Sequence, residues 1–298
     1  MDAQREILQY LHFHPLCTRE EIKVGMAFEG SDATLKRLLQ VAIQNGDIVV
    51  EGKARATRYR LSDMAHILMP LNLDTYFSQD VDDRQVQTSF NFHLICEQLP
   101  NVPLFTAGEL DLLQGLQSEF RQHVGEMSEC EYRKEMERLG IDLSWKSSQI
   151  EGNTYSLLET ERLLRELTEG LSVDRGIRHR RVGITGTNYR PLDNEFQIRE
   201  AMHDTCNLIN GKECVFEKAL LTLVLLSYIQ AFTDGNKRTA RITSNAILIA
   251  NGYCPLSFRT VSSIDYKKAM LIFYEQNNLH AFKQIFIDQF QFAVKEYF

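Results

Sequence analysis

The chain has 298 residues, a formal net charge of −7, and 44% hydrophobic and 24% charged residues, the composition of an ordinary globular protein. No apolar run approaches the ~20 residues of a membrane-spanning helix, and residues 1–11 do not resemble a secretion signal, so we expect a cytoplasmic protein. The negative charge excludes bulk attraction to nucleic acid or to an anionic membrane and leaves only local basic patches as candidates.

The first 62 residues predict a small domain of three helices and a hairpin. Two of the helix starts have a side chain that can cap free backbone N–H groups, namely Thr18 and Ser31. The predicted elements are, in chain order, helices that begin at residues 3, 18 and 31 and strands at 47–51 and 57–61. This pattern resembles a winged helix-turn-helix domain, which we assign to residues 1–62.

This first domain carries nine basic and eight acidic side chains, so it is weakly basic within an acidic chain. In a winged helix, the third helix and the wing are the elements that meet DNA. They contain four candidate DNA contacts: Lys36, Arg37, Arg55 and Arg58. Winged helices also dock other proteins, so DNA binding and protein contact both remain open.

Residues 63–103 have a looser pattern, which we interpret as a linker and brace with one helix predicted over 84–99. Two helices with polar caps follow, predicted over 106–123 and 128–150. The second of them ends at Glu151, where the negative end of the helix dipole makes a carboxylate unfavourable by ~0.3–1 kcal/mol. Such a position predicts a cationic partner for Glu151.

After this helix, Ser156 begins another predicted helix, and residues 180–191 alternate around a Gly/Asn turn that predicts a small hairpin. An open strand edge there can hold an extended segment of another protein by main-chain pairing. The alternative is an ordinary surface hairpin without a partner.

Two apolar helices are predicted over 217–229 and 239–251, separated by a short polar loop. The loop brings its N–H groups to the start of the second helix, where free amides and the helix dipole attract an anion. Arg238, Arg241 and Asn245 are spaced to share one face of that helix, which predicts a site for several phosphates. The aromatic tail at 264–298 predicts core packing or, alternatively, a homodimer surface.

The segment Gln230–Arg241 (the signature segment) resembles the signature of the Fic/Doc (Fido) family, H-P-F-x-[D/E]-G-N-[G/K]-R-x-x-R. Phe232, Asp234 to Arg238 and Arg241 match it. Gln230 and Ala231 replace the His and Pro of the family. The resemblance implies an ATP site in which Asp234 holds Mg²⁺ and five residues bind the phosphates: Gly235, Asn236, Lys237, Arg238 and Arg241.

In that family the His accepts the proton of a target hydroxyl so that AMP can be transferred to it. The amide of Gln230 has no usable basicity, and general-base help is typically worth ~10²- to 10⁴-fold in rate. We therefore expect impaired transfer, with a domain kept only for binding as the alternative. Lys237 also occurs in the Doc branch of the family, which transfers a phosphoryl group, so the transferred group stays open.

Upstream of the signature, Ser147, Glu151 and Gly152 match the motif [S/T]-x-x-x-E-[G/N] of the inhibitory helix found in many Fic proteins. The resemblance implies that Glu151 pairs with Arg241 and occupies the space of the ATP γ-phosphate. Residues 180–191 (the flap segment) resemble the target-docking flap of the family. The implied target contacts are Ile184, Thr185, Gly186 and Thr187.

These expectations describe a mainly α protein with a winged helix-turn-helix at 1–62, a linker at 63–103 and a Fic-type helical domain with a hairpin flap at 104–298. The expected function is an autoinhibited protein adenylyltransferase scaffold that uses ATP and Mg²⁺ and acts on a protein target. The alternative is a nucleotide-sensing, DNA-binding transcriptional regulator without transferase activity.

Overall fold

The computed structural model of the protein describes residues 3–152 and 176–298. As the sequence predicts, these residues are mainly helical with a small antiparallel sheet. The chain divides into two compact units: unit 1 is Met1–Gln85 with Asn277–His280, and unit 2 is Val86–Gln276 with Ala281–Phe298. The predicted helix start at Ser156 lies outside the described residues.

Unit 1 begins with three helices, α1 (Ala3–Phe13), α2 (Arg19–Gly25) and α3 (Asp32–Gln44). Thr18 and Glu21 form a capping box at the start of α2, and the Ser31 side chain accepts a hydrogen bond from the backbone N–H of Thr34 at the start of α3. The helices bury one apolar stripe each, and the core residues they share are Ile7, Leu11, Ile22, Leu35 and Leu39.

A hairpin follows, in which β1 (Ile48–Glu51) pairs antiparallel with β2 (Arg58–Leu61) and Ile48 lies opposite Leu61. The link between α1 and α2 extends this sheet, because Cys17 and Tyr59 exchange backbone hydrogen bonds of 3.2 and 2.8 Å. The three helices and two strands therefore occur where the sequence predicts them. The interpretation as a winged helix stays a prediction.

Residues 63–103 differ from the prediction. They contain two short helices that the sequence did not reveal, α4 (Asp63–Leu68) and α5 (Leu73–Phe77). Only the last part of the helix predicted over 84–99 forms, because helical turns run from Phe92 to Asn101 and residues 84–91 are not helical. Upstream of these turns the backbone bonds to distant segments instead: Gln87 N donates to Glu275 O at 2.9 Å, and Thr88 O accepts from Arg190 N at 3.0 Å.

Unit 2 contains two long helices, α6 (Ala107–Glu126) and α7 (Glu129–Ile150), close to their predicted spans. Each begins with a capping box, formed by Thr106 with Glu109 and by Ser128 with Glu131. Glu109 also accepts a hydrogen bond from the buried ammonium of Lys283 at 2.8 Å, so the first cap is tied to the C-terminal helix.

The centre of unit 2 is α9 (Val215–Ile229), which is buried on nearly every side, as its composition predicts. It packs against α8 (Glu195–Gly211), a helix that the sequence did not reveal, and against α10 (Asn236–Ala250). The helices α11 (Ser263–Gln276) and α12 (His280–Tyr297) follow. Their aromatic side chains lie in the core, including Phe273, Tyr274, Phe282, Phe286 and Phe290.

A stack of buried rings fixes the end of α9, from which the signature segment starts. The Tyr228 ring stacks on Phe90 and Tyr189, with ring centroids 4.7 and 4.8 Å apart, and lies 6.0 Å from Tyr274. Tyr189 also donates its hydroxyl hydrogen to Tyr228 O at 3.1 Å. The backbone at the end of α9 is therefore held by aromatic packing as well as by helical hydrogen bonds.

The flap segment does not form the predicted hairpin. Residues 180–191 contain no paired strands and turn at Thr185–Gly186, where Gly186 has φ +86°. The second arm of the segment bonds elsewhere, because Arg190 N donates to Thr88 O and the Tyr189 side chain is buried in the ring stack. An isolated two-stranded hairpin is marginal in water, which is consistent with this alternative pairing.

Among the described residues, no helix is long and apolar enough to cross a membrane.

Candidate functional site

A cavity of about 410 Å³ in unit 2 brings together part of the predicted site, namely Glu151, Ile184, Thr185, Gln230 and residues 234–237. Its walls are the end of α7 with Glu151, the flap segment at 182–185, the signature segment at 230–237 and one face of α11. A cavity of about 450 Å³ also exists in unit 1, but it contains none of the predicted site residues. The unit 2 cavity has the size typical of a small-molecule site.

The signature segment makes its sharp turn with two residues in the left-handed region. Gln230 ends α9 with φ +53°, and Gly235 precedes α10 with φ +78°. A positive φ is costly for a side chain such as that of Gln230, so the surroundings must fix it. Asn236 supplies part of that restraint: its side chain accepts from Phe232 N and donates to Phe232 O, both at 2.7 Å.

Both ends of the Gln230 amide are used inside the protein. Its Nε2 donates to Ser227 O at 2.6 Å, and its Oε1 accepts from Asn236 Nδ2 at 3.2 Å. The side chain is only 8% exposed. In this geometry Gln230 braces the turn, and it holds no basic atom that can take a proton from a ligand.

Arg178 holds the same turn from outside the signature segment, and no sequence pattern indicates this role. It is buried, and its guanidinium donates to three backbone carbonyls, those of Gln230 (2.6 Å), Arg180 (2.7 Å) and Leu192. Its own N–H donates to Ala231 O at 3.0 Å. Burial lowers the pKa of Arg178 from its ordinary value. Arg178 thus joins the flap segment to the signature segment.

The anion cradle is predicted at the first turn of α10. The N–H groups of Asn236, Lys237 and Arg238 occupy the helix start, where α-helical N–H groups have no intrahelical acceptor. Asp234 lies beside them, exposed, and its carboxylate accepts from Gly235 N at 2.6 Å and from Arg238 Nη2 at 2.7 Å. Asp234 and Arg238 therefore form an ion pair with each other.

Glu151 reaches the cradle from the end of α7. One carboxylate oxygen lies 3.1 Å from Arg241 Nη2, and the other lies 3.6 Å from Lys237 Nζ. Arg241 is fully buried and also donates to Ser147 Oγ from Nε (3.1 Å) and Nη2 (2.7 Å). The structure thus contains the predicted contact between Glu151 and Arg241, with Lys237 as a second cation. Gly152 follows in a turn with φ +97°.

Arg238, Arg241 and Asn245, which the sequence places on one face of α10, have different partners in the structure. Asn245 is buried and binds the backbone of Leu256 through both ends of its amide, at 2.8 Å each, so its predicted role was wrong. Arg241 points to Ser147, Glu151 and the ring of Tyr266. Its Nη1 has no hydrogen-bond acceptor among the described residues and remains a free buried donor.

The sequence did not indicate that α11 forms a wall of the cavity, because the residue pattern of α11 is that of a core helix. The lining side chains are Tyr266, Lys267, Met270, Leu271 and Tyr274. Burial raises the pKa of Tyr274, and also that of Tyr266, where the Arg241 guanidinium partly offsets it. Both phenols therefore stay protonated at neutral pH and can only act as hydrogen-bonding groups.

The flap segment contributes two of its four predicted contacts to the cavity, Ile184 and Thr185. Gly186 lies over α11, where a Cβ on it would be 3.8 Å from the Leu271 side chain. Thr187 instead accepts a hydrogen bond from Tyr189 N at 3.1 Å. The turn of the flap segment therefore borders the cavity on the α11 side.

The four candidate DNA contacts lie in unit 1. Lys36 and Arg37 are exposed on α3, and Arg55 is exposed in the turn between β1 and β2. Arg58 differs, since its guanidinium is paired with Glu21 at 2.8 Å.

The residues present suit a magnesium ion that is shared with a ligand. Within residues 3–152 and 176–298, no group of three or more His, Cys, Asp or Glu side chains is placed to hold a metal on its own. Asp234 supplies one carboxylate beside the cradle. Mg²⁺ commonly uses one or two carboxylates plus substrate phosphates, so this donor set fits it.

Comparison with known proteins agrees with the resemblance found in the sequence. Residues 154–248 match the model of the Fic/DOC family. No curated protein matches the sequence. Among solved structures, Fic-1 (residues 134–508) from C. elegans is similar, with 17% identity and a TM-score of 0.48 over 64% of this chain and 71% of that one.

Proposed function

We propose that this chain, a member of the Fic/DOC family, is a protein adenylyltransferase scaffold that binds ATP, is held closed by Glu151 and has its transfer chemistry impaired by Gln230. The observation that carries the proposal is the contact of Glu151 with both Lys237 and Arg241 beside the start of α10.

The nucleotide phosphates would lie at the N-terminus of α10. Free N–H groups and the helix dipole favour an anion there, and Lys237 and Arg238 add charge. Arg241, which contacts Glu151, adds a further positive charge. Asp234 would hold Mg²⁺, which when bound would neutralise phosphate charge.

Glu151 opposes this binding because it occupies two of the same cations. A phosphate that approaches Lys237 and Arg241 must displace the carboxylate or suffer its repulsion. Since Arg241 is fully buried, its pair with Glu151 is screened less than a surface pair. This arrangement supports an autoinhibitory role for Glu151.

Transfer to a target needs an acceptor for the proton of the target hydroxyl. Gln230 has none, and its amide is already bound on both sides. Loss of general-base help typically costs ~10²- to 10⁴-fold in rate, so we expect slow transfer even from an open site. The target would be a protein hydroxyl presented along the flap segment, where main-chain groups of 182–184 make no hydrogen bond within the described residues.

A second candidate is a nucleotide-sensing DNA-binding regulator without transferase activity. The exposed cations of unit 1 on α3 and in the hairpin turn favour it, as does a Gln230 side chain that serves only the fold. In this case ATP would bind in unit 2 without chemistry.

Titration calorimetry with Mg·ATP tests the nucleotide site. The Glu151→Gly variant should bind ATP at least ~10-fold more tightly than the unmodified chain, because removing a like charge from a phosphate site is typically worth more than 1.4 kcal/mol. Glu126→Gly is the matched control, since Glu126 also ends a helix but does not line the cavity.

The control should bind ATP as the unmodified chain does. Absence of ATP binding by Glu151→Gly would overturn the nucleotide site. Incubation with ATP labelled at the α- or γ-phosphate then shows whether AMP or a phosphoryl group is transferred.

A further inference from the structure

Lys267 is a charged side chain of the cavity that no step above uses. It lies on the α11 wall, is exposed and makes no ion pair in the part of the chain that the structure describes. The other charged groups that line the cavity are paired: Lys237 with Glu151, and Asp234 with Arg238. Lys267 is therefore available to a ligand whether or not Glu151 contacts Lys237 and Arg241.

The position of Lys267 puts it next to the flap segment. It lies four residues before Leu271, so the two side chains share one face of α11. Leu271 is the residue over which the flap turn at Gly186 lies. Among the described residues, this part of the cavity combines the Lys267 ammonium with apolar side chains of the flap segment and α11, namely Ile184, Met270 and Leu271.

The phosphates of a nucleotide already have donors at the other wall. The start of α10 supplies backbone N–H groups and the ammonium group of Lys237. Lys267 belongs to a different helix and is grouped with the flap segment instead. Lys267 therefore lies on the side of the cavity at which a target segment would enter.

We propose that Lys267 selects the protein target by pairing with an acidic side chain, Asp or Glu, close to the hydroxyl residue that is modified. The target class is then an extended segment with a carboxylate and a neighbouring apolar residue. This inference rests on the proposed function, because it assumes that the flap segment docks a target. It names a specificity residue on α11, outside both the signature segment and the flap segment.

The probe is an array of extended peptides with a central Thr and degenerate flanking positions. The arrayed peptides are bound to the Glu151→Gly variant loaded with Mg²⁺ and α,β-methylene ATP. Peptides with Asp or Glu beside the Thr should be retained ~3- to 10-fold more than those with Lys or Arg, because the comparison replaces a partly exposed ion pair by a like-charge pair. Adding Lys267→Glu should reverse this preference, and adding Lys267→Met should remove it.

Lys295→Glu is the matched control, since Lys295 is also an exposed helical lysine of unit 2 but does not line the cavity. It should leave the acidic preference intact. Three outcomes overturn the proposal: no acidic preference, no retention of any peptide, or a preference that Lys267→Glu does not change. If Lys267 instead contacts the nucleotide, Lys267→Glu should lower the affinity for ATP by ~10-fold. That result would also overturn the proposal.

The nucleotide titration of Glu151→Gly keeps the two hypotheses apart. If that variant binds ATP but shows no acidic preference, the assignment of Lys267 fails while the nucleotide site stands. If it does not bind ATP, the proposed function itself fails.

Discussion

At the scale of single residues, Arg178 shows how the site depends on a side chain that never touches the cavity. Its guanidinium is buried among backbone carbonyls of the flap segment and of the turn at Gln230. Each carbonyl would lose a charged donor if Arg178 were removed. The left-handed turn at Gln230 would then lack a major restraint.

Arg178→Ala should destabilise unit 2 by about 2–4 kcal/mol, because hydrogen bonds from a charged donor contribute ~1.5–3 kcal/mol each and buried carbonyls are left unpaired. Arg178→Lys should lie between this variant and the unmodified chain, since an ammonium can satisfy fewer of the three carbonyls. Urea unfolding followed by fluorescence of Trp145, the single Trp of the chain, reports on unit 2 directly.

Arg199→Ala is the control for this comparison. Arg199 makes an exposed pair with Glu195 and should cost less than ~1 kcal/mol. A similar loss of stability for Arg178→Ala and Arg199→Ala would show that the carbonyl contacts of Arg178 carry little energy.

At the scale of elements, α3 and the hairpin of unit 1 decide whether the chain meets DNA. Lys36, Arg37 and Arg55 are exposed, whereas Arg58 is neutralised by Glu21. These three exposed candidates supply few phosphate contacts, so any binding through them should be weak and sensitive to salt.

If unit 1 binds DNA, fluorescence anisotropy with a duplex should show affinity falling by ~10-fold or more between 50 and 200 mM salt, because about three phosphate contacts release counterions. Replacing Lys36, Arg37 and Arg55 together by Ala should remove most of this binding. Arg5→Ala on α1 is the control and should have little effect. Binding that survives the triple replacement would contradict a contact through α3 and the hairpin turn.

At the scale of the whole molecule, local signals explain what the sequence could predict. Side-chain caps such as Thr106 and Ser128 begin helices where expected, because the cap and the helix are neighbours in sequence. The Glu151–Arg241 contact was predicted only through family resemblance, since the two residues lie 90 positions apart. Arg178 and the α11 wall gave no signal, because their roles arise only in the folded chain.

The wrong predictions also arise from contacts between segments that are distant in sequence. The pattern over 84–99 suggests a helix, but Gln87 and Thr88 instead bond to Glu275 and Arg190. Asn245 lies on the expected face of α10, yet its amide binds the backbone of Leu256 because that segment folds back against it. In each case a tertiary hydrogen bond outweighs a local preference.

We propose that two residues keep this chain silent, Glu151 by blocking phosphate and Gln230 by lacking a base. Incorporation of AMP from α-labelled ATP into the chain and into a cell lysate tests it for Glu151→Gly, Gln230→His and the double variant, with Glu126→Gly plus Gln230→His as control. The double variant should exceed either single variant and the control by at least ~100-fold, because each change removes a different obstacle to one step. Equal transfer by the unmodified chain and the double variant would contradict the claim.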